Sequence, residues 1–255
     1  MPSSADIVRI MQLLDDVYGH PVWEPRYQPV DELIYTILSQ NTTDANTVRS
    51  FGALRDRFPT WADVRDAPVE EIEEAISHGG LAATKAPRIK AVLAALDDCP
   101  PGEAGAPASA SPGNDDPEAS DTAATSAADG ATAGKRCQPN LAVLDEMTDQ
   151  EALDYLTGLP GVGPKTAACV LMFSLGRPVM PVDTHVHRVA RRLGLIGAKV
   201  SAEAAHPILS ELAGPKNVYA LHVNLVLHGR RVCRARRPAC HLCALAGVCP
   251  SAGLV

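Results

Sequence analysis

The chain has 255 residues, of which 46% are hydrophobic, 21% charged and 4% aromatic, and it carries a formal net charge of -7. This is ordinary globular usage, with enough length for one large domain or two small lobes. The longest unbroken apolar run, Ala167 to Phe173, has seven residues, against the roughly 20 that a membrane span needs, which excludes a spanning helix here. The opening segment MPSSADIVRIMQLLDD carries acids inside its apolar stretch and no basic leader, so it reads as no secretory signal and the expectation is a cytoplasmic protein. In a reducing compartment its seven cysteines are expected to be metal ligands or core thiols rather than disulfides. The acidic total hides an asymmetry. Residues 1–164 hold 11 Lys and Arg against 27 Asp and Glu, whereas residues 165–255 hold 12 against 3. A basic C-terminal third is consistent with a face built for a polyanion, or simply with a solvated basic surface.

Strand-type runs are scarce, and most periodic segments are rich in Ala, Leu, Glu and Arg, which predicts an all-helical protein. Ile7, Ile10, Met11, Leu14, Val17 and Tyr18 predict an amphipathic helix over 6–18. Pro21, Pro25 and Pro29 mark a turn-rich connection, followed by a short apolar helix over 31–39. After the polar loop SQNTTD, Asp44 is the expected cap of a helix carrying Val48, Phe51, Leu54 and Phe58 on one side. Asp66 and Pro68 are expected to open a helix through Val69, Ile72 and Ile76. The loop HGGLAATKAP then precedes a helix with Ile89, Val92, Leu93 and Leu96. Residues 99–138 have almost no large apolar side chains and read as an acidic disordered insertion with free thiols, Cys99 and Cys137, at its edges. Beyond it, Thr148 and Glu151 match a capping box. A helix with Leu153 and Leu156 leads to the turn LPGVGP, a second helix runs from Lys165 to about Leu175, and VDTHVHRVARRLGL forms another. Two or three more helices are expected by His228, before a tail dense in Cys, Arg and Pro.

In that tail Cys233, Cys240, Cys243 and Cys249 are spaced C-x6-C-x2-C-x5-C. Four thiolates on so short an irregular stretch can wrap one soft metal centre. The spacing is neither that of a typical zinc finger nor that of a bacterial ferredoxin. A compact loop suits a cubane iron–sulfur cluster, with a single zinc ion as the alternative. The run LHGRRVCRARRPACHLCALAGVC resembles the C-terminal [4Fe-4S] loop of the endonuclease III family of DNA glycosylases. Arg230, Arg231, Arg234, Arg236 and Arg237 crowd the first ligand, either to meet phosphates or to compensate the thiolates.

Leu159-Pro160-Gly161-Val162-Gly163 sits between two helical stretches, with Pro164 at a first helical position. Such a turn offers free amides near Gly161 and Gly163 as a phosphate cradle, or is merely a tight helix–helix turn. LPGVGPKTA resembles the helix-hairpin-helix element of the same family. From its type and place alone Lys165 is a phosphate contact or a nucleophile. The positive end of a helix disfavours an ammonium form, and a neutral lysine can form a Schiff base. The resemblance makes Lys165 the nucleophile. Asp183, in PVDTHVHR, reads as a helix N-cap, and the resemblance adds a catalytic role across a cleft from the lysine. His185, in the family's VDTH run, is expected to line the pocket or hold a phosphate, and His187 is expected to be structural.

A glycosylase takes its base out of the stack and fills the gap. The resemblance points to 39–44, where the gap-filling amide falls on Asn41 with Gln40 just before it, and to 78–87, where Leu81 is the wedge; both loops also read as ordinary turns. The resemblance implies an all-α, two-lobed fold. One lobe spans 25–177 and includes the hairpin at about 150–175. The other pairs 1–24 with 178–255 and holds the cluster. It also implies a monomeric, nucleoid-associated enzyme, with no membrane partner, acting on double-stranded DNA that contains damaged bases or abasic sites. The expected activity is removal of oxidised pyrimidines and strand nicking by β-elimination. The alternatives are a monofunctional mismatch glycosylase of the same superfamily, a non-catalytic DNA-binding module, and electron transfer through the cluster.

Overall fold

The computed structural model describes residues 4–96 and 138–254. Among these residues are eleven α-helices and no strand. In chain order they are α1 (Ser4–Tyr18), α2 (Pro29–Leu38), α3 (Asp44–Arg57), α4 (Trp61–Asp66), α5 (Val69–Ala75), α6 (Ala82–Ala95), α7 (Asp149–Gly158), α8 (Pro164–Leu175), α9 (Thr184–Arg192), α10 (Ala202–Ala213) and α11 (Val218–Arg231). No helix among the described residues is long and apolar enough to cross a membrane. The insertion read over 99–138 lies outside the described residues, with Cys99 and Cys137, except for Gln138. The side-chain oxygen of Gln138 accepts from the Ala62 amide at 3.3 Å.

Local chemistry accounts for the helix starts, with three departures from expectation. Thr43, not Asp44, caps α3 by accepting from the Asn46 amide, which leaves the Asp44 carboxylate free for another partner. Helix α4 has no counterpart among the expected elements, although Thr60 and Asp63 form a complete capping box in T-x-x-D. Asp66 therefore ends α4 and does not begin a helix; α5 starts after Pro68. The expected box of Thr148 and Glu151 is present at α7. Val17 and Val48, assigned to apolar faces by periodicity, are exposed, because the helix faces that bury α1 and α3 are narrower than their apolar stripes.

Two apolar cores organise the chain. The first gathers Leu33 and Ile37 of α2, Leu54 of α3, Ile72 of α5, Ile89 of α6, Leu156 of α7 and Val170 of α8. The second gathers Ile10 and Leu14 of α1, Val186 and Val189 of α9, Leu209 of α10 and Leu225 of α11. Helix α8 serves both: Leu171 belongs to the first and Met172 to the second. Its buried residues run without a break from Thr166 to Met172.

Helix α8 ends at Gly176, whose left-handed φ of 66° turns the chain. The Trp23 indole lies against this turn and donates to the Met172 carbonyl at 2.7 Å. A Cβ on Gly176 would stand 3.1 Å from that ring. Left-handed φ costs an L-residue about 1–2 kcal/mol, so Gly176→Ala is expected to lower the calorimetric melting temperature by several degrees. An unchanged transition would show that the turn relaxes freely.

Candidate active site and cysteine loop

A cleft of about 340 Å³ opens between the two cores, and Lys165 and Asp183 both line it. Lys165 stands in the first turn of α8, directly after the hairpin. Asp183 caps α9, its Oδ1 accepting from the Val186 amide at 2.7 Å, as expected. A capping carboxylate held by a backbone donor keeps a fixed position. Behind both lies His222 of α11, buried and donating from Nδ1 to the Pro181 carbonyl at 2.9 Å. Burial pushes His222 down to about 4; the Asp183 carboxylate opposes this and the Lys165 cation adds to it. One turn along α8, the Cys169 thiol is buried within hydrogen-bonding reach of Lys165, and burial raises its pKa.

Several cleft residues have partners that the sequence did not indicate. Arg230, near the end of α11, forms an ion pair with Asp44 at 2.5 and 3.2 Å, joining elements 186 residues apart across the cleft. This hydrogen bond lowers the Asp44 pKa. Arg26, from the Pro-rich connection, lines the wall with Tyr35 and Phe173.

The predicted DNA-entering residues lie in loops braced from within. At the hairpin, Gly161 has φ 74°, and a Cβ there would lie 2.7 Å from Arg88 Nε. Gly163, the N-cap of α8, faces open space. Arg88 donates to Gln40 Oε1 at 2.7 Å, and Gln40 Nε2 reaches Thr166 Oγ1 at 3.4 Å. Both ends of the Gln40 amide are therefore engaged inside the protein. Asn41 is exposed with a left-handed φ of 54°. Leu81 is 54% exposed at φ 55°, directly after Gly80 at φ 68°. A large apolar residue that is both exposed and in this backbone region is uncommon, and such strain gathers at functional sites. The buried Lys85 ammonium ties the two loops together, donating to Leu38 O at 2.7 Å and Gly79 O at 3.2 Å. His185 is half-buried; its Nδ1 lies 3.1 Å from Arg188 Nη2 and its Cβ packs against Gly229 of α11. His187 bonds the Val200 carbonyl at 2.8 Å, a structural contact as expected.

Cys233, Cys240, Cys243 and Cys249 line one apolar cavity. No three His, Cys, Asp or Glu side chains among the described residues converge tightly enough for a single metal ion. The surrounding loop is held from the protein side. Arg188 donates to the Cys233 carbonyl at 3.0 Å, and Arg192 donates to Arg234 O at 2.7 Å and to Cys233 Sγ at 3.4 Å. His228 Nε2 lies 3.5 Å from Cys243 Sγ, and its Nδ1 is 3.1 Å from the Tyr18 hydroxyl. Burial raises the Cys243 and Cys249 pKa values, and the neighbouring thiols add to the rise, so a cationic centre is what this donor set needs to become four thiolates.

With this geometry in place, the chain belongs to the HhH-GPD superfamily of base excision DNA repair proteins, whose model matches residues 34–215. Within that class its similarities run to proteins of the endonuclease III type. It is 29% identical over 246 residues to endonuclease III of Synechocystis, covering 95% of this chain and 91% of that protein. It is 32% identical over 201 residues to "Putative DNA glycosylase At3g47830" of Arabidopsis thaliana, which is 79% of this chain but only 56% of the plant protein. A solved structure of a trapped endonuclease III–DNA covalent intermediate superposes with a TM-score of 0.72 at 25% identity, covering 99% of this chain and 98% of the other.

The buried histidine makes the site acid-sensitive. With its folded pKa depressed, His222 resists protonation, so its contribution to stability is complete above its unfolded value of about 6.5 and is lost as the pH falls toward 4. Between pH 7 and pH 5 it should account for a loss of about 2 kcal/mol, read by urea denaturation at both values. In His222→Gln this pH slope should flatten, with His206 and His228, depressed in the same direction by burial, accounting for what remains.

Proposed function

We propose that the protein is a bifunctional DNA glycosylase and abasic-site lyase that removes oxidised pyrimidines from double-stranded DNA. The observation that carries this reading is the shared cleft of Lys165 and Asp183, with the hairpin ending at Gly163, the N-cap of the helix that carries Lys165. DNA lies across the cleft, the hairpin amides around Gly161 and Gly163 hold a phosphate, and the extruded nucleotide enters between the lobes. The Lys165 Nζ lone pair attacks C1′ of the deoxyribose, and the base departs with its bonding electrons and takes up a proton. The fixed Asp183 carboxylate stabilises positive charge on the opening sugar and accepts the proton that the amine sheds. The C1′–O4′ bond then breaks, with O4′ taking the proton held by Asp183, and the resulting protonated imine acidifies the C2′ proton. Loss of that proton expels the 3′ oxygen and nicks the strand. The solved endonuclease III relative was trapped as a covalent intermediate with DNA, which supports a route through an amine adduct here.

Asn41, exposed and strained, is the better placed of the two amides to fill the vacated stack, because Gln40 is engaged on both sides. Leu81 is the wedge. His185, beside Arg188 and Gly229, lines the approach from α9. Cys233, Cys240, Cys243 and Cys249 would hold a [4Fe-4S] cluster, a reading supported by the one apolar cavity that all four line. Such a group supplies a cross-link that stiffens the arginine-rich loop against phosphates.

Lys165→Gln is expected to abolish both base release and the borohydride-trapped adduct while retaining DNA binding. Retention of adduct in that variant would refute the assignment of Lys165. Purified protein is expected to be brown with a broad absorption near about 400 nm. A colourless preparation that carries one equivalent of zinc would overturn the cluster.

A further inference from the structure

The cleft contains a charged pair that neither the hairpin nor the lysine chemistry uses. Arg26 lines the wall beside Lys165 and Asp183, and its guanidinium is clamped from behind by Glu32 through Nε at 2.9 Å and Nη2 at 2.5 Å. The Glu32 side chain is 0% exposed, and its Oε1 also accepts from the Thr36 hydroxyl at 3.0 Å; Arg26 keeps 39% exposure. The guanidinium lies between two aromatic rings, 4.3 Å from the Phe173 centroid and 4.8 Å from that of Tyr35. Nη1 has no hydrogen-bond partner among the described residues. The group is therefore held in place on three sides, and its donors on the remaining side are unused.

Stability does not account for this arrangement. A buried ion pair returns little over apolar side chains of the same volume, and the wall already has aromatic neighbours to pack against. The pair's net charge is near zero. Glu32 cancels the attraction that a phosphate would feel, while Arg26 can still donate, and guanidinium has no acceptor to offer in return. A fixed donor without net charge, walled by aromatic rings, suits the carbonyl oxygen of a neutral planar base better than a backbone anion. Arg26, Lys165 and Cys169 all line the same cleft.

On the reading of the cleft given above, we infer that Arg26 is a specificity-determining residue, reading the edge of the extruded base and favouring pyrimidines with two carbonyls over those bearing an amino group. Base release should therefore be faster from 5-hydroxyuracil than from 5-hydroxycytosine, because the amino group presents a second donor to a donor-only contact. Glu32 acts through Arg26 and is a positioning residue.

The test compares the native protein with Arg26→Met/Glu32→Gln, which removes both charges together and leaves no orphaned ion, and with Arg26→Lys, which keeps the charge but loses the fork. Single-turnover base release is measured on duplexes carrying 5-hydroxyuracil or 5-hydroxycytosine, alongside nicking of an abasic duplex. The abasic duplex has the same phosphates and no base. The double variant is expected to lose about tenfold or more on 5-hydroxyuracil, the cost of one charge-assisted hydrogen bond, with a much smaller loss on the abasic duplex and a collapse of the preference between the two pyrimidines. Arg26→Lys should lose preference in the same direction. Equal losses on lesion and abasic duplexes would make Arg26 a phosphate clamp or a structural strut and overturn the inference, as would an unchanged preference. Failure of the native protein to nick the abasic duplex would instead overturn the lyase reading, and the preference in base release would still decide the role of Arg26.

Discussion

On the proposed reading, Lys165 can be aimed at a sugar carbon only if the helix that carries it cannot rotate. Helix α8 meets that condition because it is the one element both cores share, with Leu171 in the first and Met172 in the second. Its unbroken burial from Thr166 onward removes the freedom that an amphipathic surface helix would keep. Lys165 is the last residue before that burial begins. It stands where backbone geometry is set by the core and the side chain still meets solvent, and everything else in the cleft is arranged relative to it.

Polar contacts away from the cores also tie the elements together. Trp23 holds the end of α8, Tyr18 joins α1 to α11 beneath the cysteine loop, both on the side of the second core, and Arg230 crosses the cleft to Asp44. These ties differ in how readily they break. Trp23 and Tyr18 bond partly buried partners, where water does not compete well. The Arg230–Asp44 pair is exposed, and exposed pairs are worth about 0–1 kcal/mol. A polyanion entering the cleft can therefore take Arg230 from Asp44 at small cost while the inner ties stay in place.

What could be read from the chain itself follows how locally each feature is encoded. The hairpin glycines, the cap at Asp183, the box at Thr148 and the cysteine spacing each lie within a few residues, and the structure shows the hairpin turn and both caps as expected and brings the four thiols to one cavity. Helix α4 is hard to read although its capping box is equally local, because six residues carry too little apolar periodicity to announce a helix. Thr43 and Asp44 compete for the same cap, and only the position of Arg230 on a distant helix explains why the threonine takes it. Arg26 and Glu32 are invisible in the sequence for a different reason. Arg26 reads as a solvated turn residue among the prolines and Glu32 as an ordinary residue of the short apolar helix, and nothing nearby indicates that Phe173 and Tyr35 will enclose the guanidinium.

The buried polar groups show where the fold accepts a cost for position. Glu32, Lys85 and His222 are each nearly inaccessible, and each is satisfied by a partner that belongs to the cleft or to a loop facing it: Arg26, the carbonyls of Leu38 and Gly79, and the Pro181 carbonyl beside Asp183. An apolar side chain in any of these places would remove a desolvation penalty but would also remove a direction, since dispersion contacts do not specify where a guanidinium or a loop must point. The two cores themselves are built mostly of Leu, Ile, Val and Ala. That division argues that the cores supply the stability, and that the buried charges convert part of it into a cleft of one defined shape.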